Sequence, residues 1–592
     1  MTDRQNTDWT RTRIAMTLVG MAGGAALYAL IDILPELVRN ERILMFISIV
    51  IVGFFQVLLA MTGPVSLARA ALPSLGWATG VGGLFLWASF RFDKLDDFVD
   101  SGHPIAAPMM LYLVGTPFLT VILIDGPRGW RDYAALFQTA WTVLVRFAAA
   151  GLFTGLVWGV LFLSNALLEL VGIDLIERIL ELDPVPFLIT GGVFGLALAV
   201  AHEWRDYVSP HLLLRLLRLL VPLVVPVLAL FLIAVLLSGM NEVLFLFSET
   251  AMLLSVAIGA ITLVTVSVDR DEAHQVQARL MRGAVRALAV MLLPLAALAV
   301  WGIAQRVMQY GWTPDRVLAG LCAGMVALYG VAYSASALWR GDFGGRIRAI
   351  NIRLALLSLA LAALWLTPVL NAERISAGSQ LARIVEGRVS PDAAPIWELA
   401  KRWGQPGRAA IYELRQREGY PQREEVVKLA DAAEAADTRS DFIDTENGET
   451  PKDRAEKLAA LLPLRPEGTE LPAKALEGLS DWHLREALDA CRRSFDDGRP
   501  GCVYLEVTFN PARQGRQGVL VLRQSDNRAS AWGTLIGDSG MERTGELMDL
   551  AQDRWPRLDA SIITQIMEGA YSIAPAGLNA LNVGGMSLFP DN

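Results

Sequence analysis

The residues of this chain that could do chemistry are few and poorly matched to one another. His202-Glu203 opens like the helix of a zinc peptidase, where two His one turn apart hold the metal and the Glu between them activates water. Here Asp206 stands where the second His is needed, and His211 falls too far along the chain. Gly537-Asp538-Ser539-Gly540 has the form of the nucleophile turn of chymotrypsin-like proteases. The only His in the C-terminal part is His483, however, and the strand pattern of a double barrel is missing. A Gly/Asp turn closing a strand accounts for the stretch better. No glycine loop leads into Lys and Ser/Thr, and no dinucleotide fingerprint follows a strand. The expectation is a protein with no catalytic constellation, no cofactor and no metal.

Three ionisable residues are singled out by their surroundings instead. Asp32 lies near the end of the first long apolar run, Arg146 near the start of the fifth, and Glu169 just past the end of the fifth. A charge held in hydrocarbon costs several kcal/mol, so each either reaches an interface or faces a polar cavity. Two of the three cysteines, Cys491 and Cys502, are close in sequence at the end of a helical pattern and the start of a strand pattern. They read either as a disulfide, in an oxidising compartment, or as two buried thiols. Cys322 sits alone in an apolar run and reads as a small apolar residue.

The elements that position these residues are set by apolar length. The chain has 592 residues, 53% hydrophobic and 19% charged, with a mean hydropathy of +0.40. That is too apolar for a soluble chain and too charged for one embedded throughout. Residues 1–371 hold 25 Lys+Arg and 25 Asp+Glu, so the whole net charge of −8 lies in the remainder. A span of ~30 Å of hydrocarbon takes roughly 20 apolar residues. Runs of that kind cover Ile14–Leu34, Ile43–Met61, Ala71–Phe90, Ile105–Ile124, Thr142–Leu168 and Pro186–Ala201. They continue at Leu216–Leu237, Ala251–Val268, Ala284–Ile303, Val317–Trp339 and Leu354–Leu370. Trp77, Trp87, Trp204, Trp312 and Trp339 fall near their ends, as interfacial aromatics do. The fold expected is an α-helical polytopic membrane bundle of about eleven helices with a C-terminal soluble helical and α+β module.

Orientation is set by the connections. With the N-terminus inside, cytoplasmic segments carry 17 Lys+Arg and the opposite ones 7, which satisfies the positive-inside rule. Eleven spans then put the C-terminal part outside the cytoplasm, in the periplasm of a two-membrane bacterium. Small-residue repeats at Gly151/Gly155/Gly159, Gly20/Gly24 and Gly191/Gly195 predict close helix packing. Gly172–Asp183 and His211–Leu220 read as interfacial helices, the latter offering Arg215 and Arg218 to lipid headgroups.

The domain reading is a cytoplasmic tail, 1–13; a membrane domain, 14–370; a helical soluble linker region, 371–470; and a small α+β module, 471–592. In the soluble part helices are predicted at Glu424–Ala435, Asp453–Leu462, Asp481–Ser494, Glu542–Asp553 and Ala560–Gly569. Strands are predicted at Cys502–Thr508, Gly518–Leu522, Ser530–Ile536 and Ala580–Leu588, with turns at Asn510-Pro511 and Asp526-Asn527. With 27 basic and 35 acidic residues this part is unsuited to nucleic acid.

Three stretches carry a resemblance: Phe153–Ile173, the junction Ile375–Pro391 ("ISAGSQLARIVEGRVSP") and Gly404–Leu414 ("GQPGRAAIYEL"). They resemble a bacterial family of polytopic membrane proteins filed as domain of unknown function 4153, from the first spans to about Leu414. In that family the soluble extension often carries an acidic, glycine-rich strand turn. The corresponding Thr508–Gly518 here lacks the acidic residues, so a metal role does not carry over. The resemblance implies an inner-membrane protein and no particular activity. The functional expectation is a non-enzymatic envelope protein, in contact with the lipid bilayer and an envelope protein partner, with an extracytoplasmic interaction or sensing module. The alternative is a transporter or lipid-handling protein.

Overall fold

The computed structural model describes residues 2–203, 210–238, 247–276, 278–436, 438–439, 441–443, 451–495, 497–509, 514–525, 528–537, 540–546, 558–573, 581–583 and 586–588. Trp204, Asp206, both predicted turns and Asp538-Ser539 lie outside the described residues. The chain divides into two compact units, Met1–Ala430 and Asp431–Asn592.

Eleven long helices build the first unit: α1 (Thr2–Tyr28, continued through a π turn, Ala29–Ile33, to Leu37), α2 (Glu41–Met61), α3 (Leu67–Ser89), α4 (Ala106–Asp125), α5 (Tyr133–Glu169) and α6 (Pro184–Glu203). The others are α7 (Val221–Ser238), α8 (Phe247–Val268), α9 (Arg279–Tyr310), α10 (Pro314–Leu338) and α11 (Phe343–Trp365). Among the described residues, 10 helices are long and apolar enough to cross a membrane. The helix that falls short is α3, diluted by Gly, Ser, Thr and Pro. Packing nevertheless lays it along a neighbouring span. Ser74 Oγ meets Met61 Sδ at 3.6 Å, Gly82 lies on Val50 and Phe46, and Arg42 donates to Phe92 O at 2.6 Å. Those contacts run antiparallel along the whole of α2. Trp77 therefore lies inside the pair α3/α4, its ring against Gly115, and not at an interface.

α1 and α6 cross just as tightly. A Cβ added to Gly20 would stand 2.0 Å from Gly191 O, and one on Gly24 would stand 2.1 Å from Phe187 O. Without side chains the two backbones touch, the arrangement that small residues four apart allow. The third repeat differs. Gly151, Gly155 and Gly159 on α5 have no atom within 4 Å of an added Cβ. Leu152, Leu156 and Val160 beside them are more than 60% exposed. That stripe is uncovered in this chain.

Two further helices, α12 (Ala372–Val385) and α13 (Gly404–Gln416), belong to the first unit. The region expected to be linker therefore starts as part of the bundle. The second unit opens with α14 (Pro451–Leu461) and α15 (Asp481–Arg492), closes with α16 (Ser561–Met567), and holds a five-stranded sheet. Its strands, in spatial order, are β1 (Leu464–Arg465), β2 (Cys502–Glu506), β3 (Arg516–Ser525), β4 (Arg528–Gly537) and β5 (Gly540–Glu546), with β1 parallel to β2 and the rest antiparallel. Cys502, Tyr504, Leu520 and Leu522 pack under α14 and α15. Val503, Leu505, Val519 and Val521 pack under α16. A sheet covered on both faces needs unbroken apolar strands, and β2 and β3 supply them.

Three expectations are corrected here. The helix expected over Glu542–Asp553 begins instead as β5, because Gly537 and Gly540 close a tight hairpin and Met541 turns into the core. The strand expected over Ala580–Leu588 is two short ones, Leu581–Val583 and Met586–Leu588, paired antiparallel. Arg218, in the helix Pro210–Leu219, does not reach for lipid: it pairs with Asp269 and donates to Val266 O at 3.0 Å.

Candidate functional site

The ends of the bundle are held by arginine. A helix leaves its last carbonyls unbonded and carries partial negative charge there, so a cation with several donors is favoured at that point. Arg42 donates to Phe92 O and Asp93 O after α3, and Arg69 to Leu123 O in the last turn of α4. Arg346 donates to Ser336 O and Trp339 O at the end of α10, and Arg348 to Val268 O at the end of α8. Residues 1–371 contain 24 Arg and one Lys, Lys94. Each terminal guanidinium nitrogen carries two donors, as where Arg42 Nη2 and Arg346 Nη2 each reach two carbonyls, and the group stays charged and is weakly hydrated, which suits these sites. That bias was the readable signal of these caps; counting arginine only for topology missed it.

Arg146 is the same device brought inside. It is 2% exposed, and its guanidinium donates to Thr62 O (3.1 Å) at the end of α2 and to Leu198 O (3.3 Å) near the end of α6. Among the described residues its Nε finds no hydrogen-bond partner. Asp32, in the π turn, and Glu169, at the end of α5, are both exposed. They lie at the end of the bundle remote from Arg146, so the structure does not bring the three together. Cys491 and Cys502 are bonded, with Cα atoms 4.8 Å apart. His483 lies against Ser480 Oγ (2.6 Å) and Arg543 (3.3 Å). Burial, then the Arg543 charge, pushes its pKa below the ordinary value. His202 rests on Gly63. Among the described residues no three His, Cys, Asp or Glu side chains are placed to hold a metal ion.

The candidate site is the junction where the membrane helices hand over to α12 and α13. Asn371 caps α12 by accepting from Arg374 N at 2.8 Å, and Glu373 falls in the first turn, where the helix dipole favours a carboxylate. Glu373 is 1% exposed. Arg91 Nη1 stands 3.4 Å from its Oε2 and His103 Nε2 stands 3.2 Å from its Oε1. Arg91 also donates to Trp365 O and Thr367 O, both at 2.7 Å, so one guanidinium ties α3, α11 and α12. Burial alone would raise the Glu373 carboxyl; the His103 and Arg91 contacts outweigh it and hold the pKa below the usual carboxylate value. Among the described residues His103 Nδ1 and Ser376 Oγ have no hydrogen-bond partner.

The motif residues of the junction act as clamps. Gln380 donates to Tyr310 O and Trp312 O, and Arg383 to Met308 O and Gln309 O, closing the end of α9. Gly404, at φ +55°, brings α13 against the chain after α3, where a Cβ would stand 2.5 Å from Arg91 O. Trp87, Phe90, Arg374, Gly378, Gln405 and Glu413 line a cavity of about 550 Å³ beside the cluster. Sequence reasoning missed Arg91, His103 and Glu373, because none lies within an apolar run. The arrangement fixes the angle between α11 and α12, and among the described residues it sets no nucleophile beside a base.

Fold and site together define a multi-pass helical membrane protein with a small α+β unit after the bundle. The chain belongs to the family described as "Domain of unknown function (DUF4153)", whose model matches residues 9–399. The match ends inside the junction, beyond α12 and before α13. No curated protein and no solved structure matches the chain.

Proposed function

We propose that this is a non-enzymatic protein of the bacterial inner membrane whose bundle anchors the C-terminal unit outside the cytoplasm as an interaction or sensing module. The observation that carries the reading is the arginine distribution. In the sequence, the connections on the side of the N-terminus carry 17 Lys+Arg and the alternate ones 7, and cytoplasmic connections are the basic ones. The Cys491–Cys502 bond supports the same side, because disulfides persist in oxidising compartments. A sheet packed on both faces suits a stable recognition unit, and its partner is a protein of the envelope. A transporter or lipid-handling role is the second reading, favoured by the number of traverses. Against proton-coupled transport, no carboxylate among the described residues is buried within a traverse away from its ends.

The test is accessibility in intact cells with a permeabilised outer membrane. A membrane-impermeant thiol reagent should label a cysteine introduced at exposed Gln524, and should not label one at exposed Arg131. Labelling of Arg131→Cys alone would refute the orientation. Site-specific photo-crosslinking from the same unit should then trap a discrete envelope protein.

A further inference from the structure

Within the bundle lies a cavity of about 600 Å³, walled by α2, α4, α5, α8, α10 and α11. That volume is ordinary for a small-molecule site, but its lining is not that of an aqueous one. No charged side chain contributes to it. Most of the wall is apolar, including Phe118, Leu136, Phe137, Trp141 and Phe147. Leu113 on α4 and Leu144 on α5 also line it and are 66% and 49% exposed on the outside of the bundle. The cavity therefore opens sideways between α4 and α5, toward lipid.

One wall is polar and neutral. Asn351 Nδ2 donates to Tyr133 Oη at 3.1 Å and to Thr265 Oγ1 at 3.5 Å, while Asn351 Oδ1 accepts from Tyr333. Both amide hydrogens are thus used, and the Tyr133 hydroxyl serves as an acceptor with its own hydrogen still free to donate. The half-buried Tyr329 hydroxyl and the exposed Gln56 carboxamide, also on the wall, make no hydrogen bond among the described residues. Unpaired polar groups cost several kcal/mol in a hydrocarbon setting. Three of them around one apolar space open to the membrane call for a ligand that hydrogen-bonds at one end only.

We infer that this cavity binds an uncharged lipid, its hydroxyl or carbonyl head on Tyr133, Tyr329 and Gln56 and its hydrocarbon chain along Phe137, Trp141 and Phe147. The lining disfavours anionic phospholipid, since no cation is present to meet a phosphate. The head group sits toward the end of the bundle where α8 finishes, because Thr265 is three residues from that end. This goes beyond the module reading above and does not depend on which side the C-terminal unit occupies.

The experiment uses the full chain in nanodiscs and a diazirine-bearing diacylglycerol, with labelled peptides mapped by mass spectrometry. Labelling should concentrate in Tyr112–Phe118 and Tyr133–Phe147. An excess of unlabelled diacylglycerol or of a long-chain benzoquinone should compete; the stronger competitor tells a hydroxyl from a carbonyl head, and either supports the site. Phosphatidylglycerol at equal excess should not compete. Leu144→Trp, at an exposed position, should fill the mouth and cut labelling at least five-fold without altering the unfolding temperature. Gln56→Leu should weaken it while keeping the wall intact. Labelling spread evenly over the exposed face of α5 from Leu152 to Leu163, equal competition by phosphatidylglycerol, or indifference to Leu144→Trp would each overturn the inference.

Discussion

The two kinds of glycine repeat should respond to one methyl group with opposite signs. Gly191→Ala puts a Cβ 2.1 Å from Gly20 O, and Gly195→Ala puts one 2.2 Å from Met16 O. Ordinary contact begins near 3.4 Å, and the obstacle is backbone, which cannot rotate away. α1 and α6 must therefore part by about 1 Å along their shared face, losing dispersion contact over several turns. Overpacking of this sort costs about 1–3 kcal/mol, and each variant also alters the Arg13–Glu203 pair at the end of the crossing. Gly155→Ala meets nothing within 4 Å. There the removal of glycine's backbone freedom from a helix interior should stabilise by about 0.5–1 kcal/mol. Unfolding of the purified full-length protein in detergent, by heat or by titration with a denaturing detergent, reads the difference. Gly191→Ala should unfold earlier than wild type and Gly155→Ala slightly later. Destabilisation by Gly155→Ala comparable to Gly191→Ala would refute the reasoning, since the α5 stripe would then have to be covered.

The arginines, the buried carboxylate and the disulfide have consequences of their own. Arg146→Lys keeps the charge but replaces the Nη2 group that donates to both Thr62 O and Leu198 O with a differently placed, more strongly hydrated ammonium. It should lower stability by about 1–3 kcal/mol, read as an earlier detergent melt, and an unchanged melt would show that the carbonyl contacts carry no stability. Glu373 has a folded-state pKa below its unfolded one. Its contribution is therefore complete above the unfolded value and is lost as pH falls through the folded one. Wild type should lose melting temperature on acidification below about pH 4.5, Glu373→Gln should be less stable at neutral pH, and the two curves should converge in acid. The Cys491–Cys502 bond closes a loop with a sequence separation of 11, worth about 3 kcal/mol by chain entropy. A reductant should lower the melt of the C-terminal unit in wild type and have no effect on the Cys491→Ser/Cys502→Ser pair.

The features legible along the chain are those that depend on local composition and length. Backbone groups in hydrocarbon must bond within their own helix, so apolar runs of span length announce α1–α11 wherever the chain later packs. The excess of basic residues in alternate connections is local too, as is the two-faced apolar pattern of β2 and β3. Placement depends on partners distant in sequence, and there composition was silent or misleading. Gly20/Gly24 and Gly151/Gly155 share a spacing, but only the first pair met a second glycine face, from α6. Asp32, Arg146 and Glu169 drew equal suspicion, yet only Arg146 turned inward, because the ends of α2 and α6 converge on it. Ala71–Phe90 is the run most diluted by small and polar residues, and its pairing along α2 supports its place in the bundle. Gln56 lies inside one apolar run and Asn351 just before another, and only tertiary packing sets them around one cavity. The reason is physical. A helix in a bilayer is decided by its own length and its own hydrogen bonds, whereas the exposure of a side chain is decided by whichever helix crosses it, and that is settled only when the bundle closes.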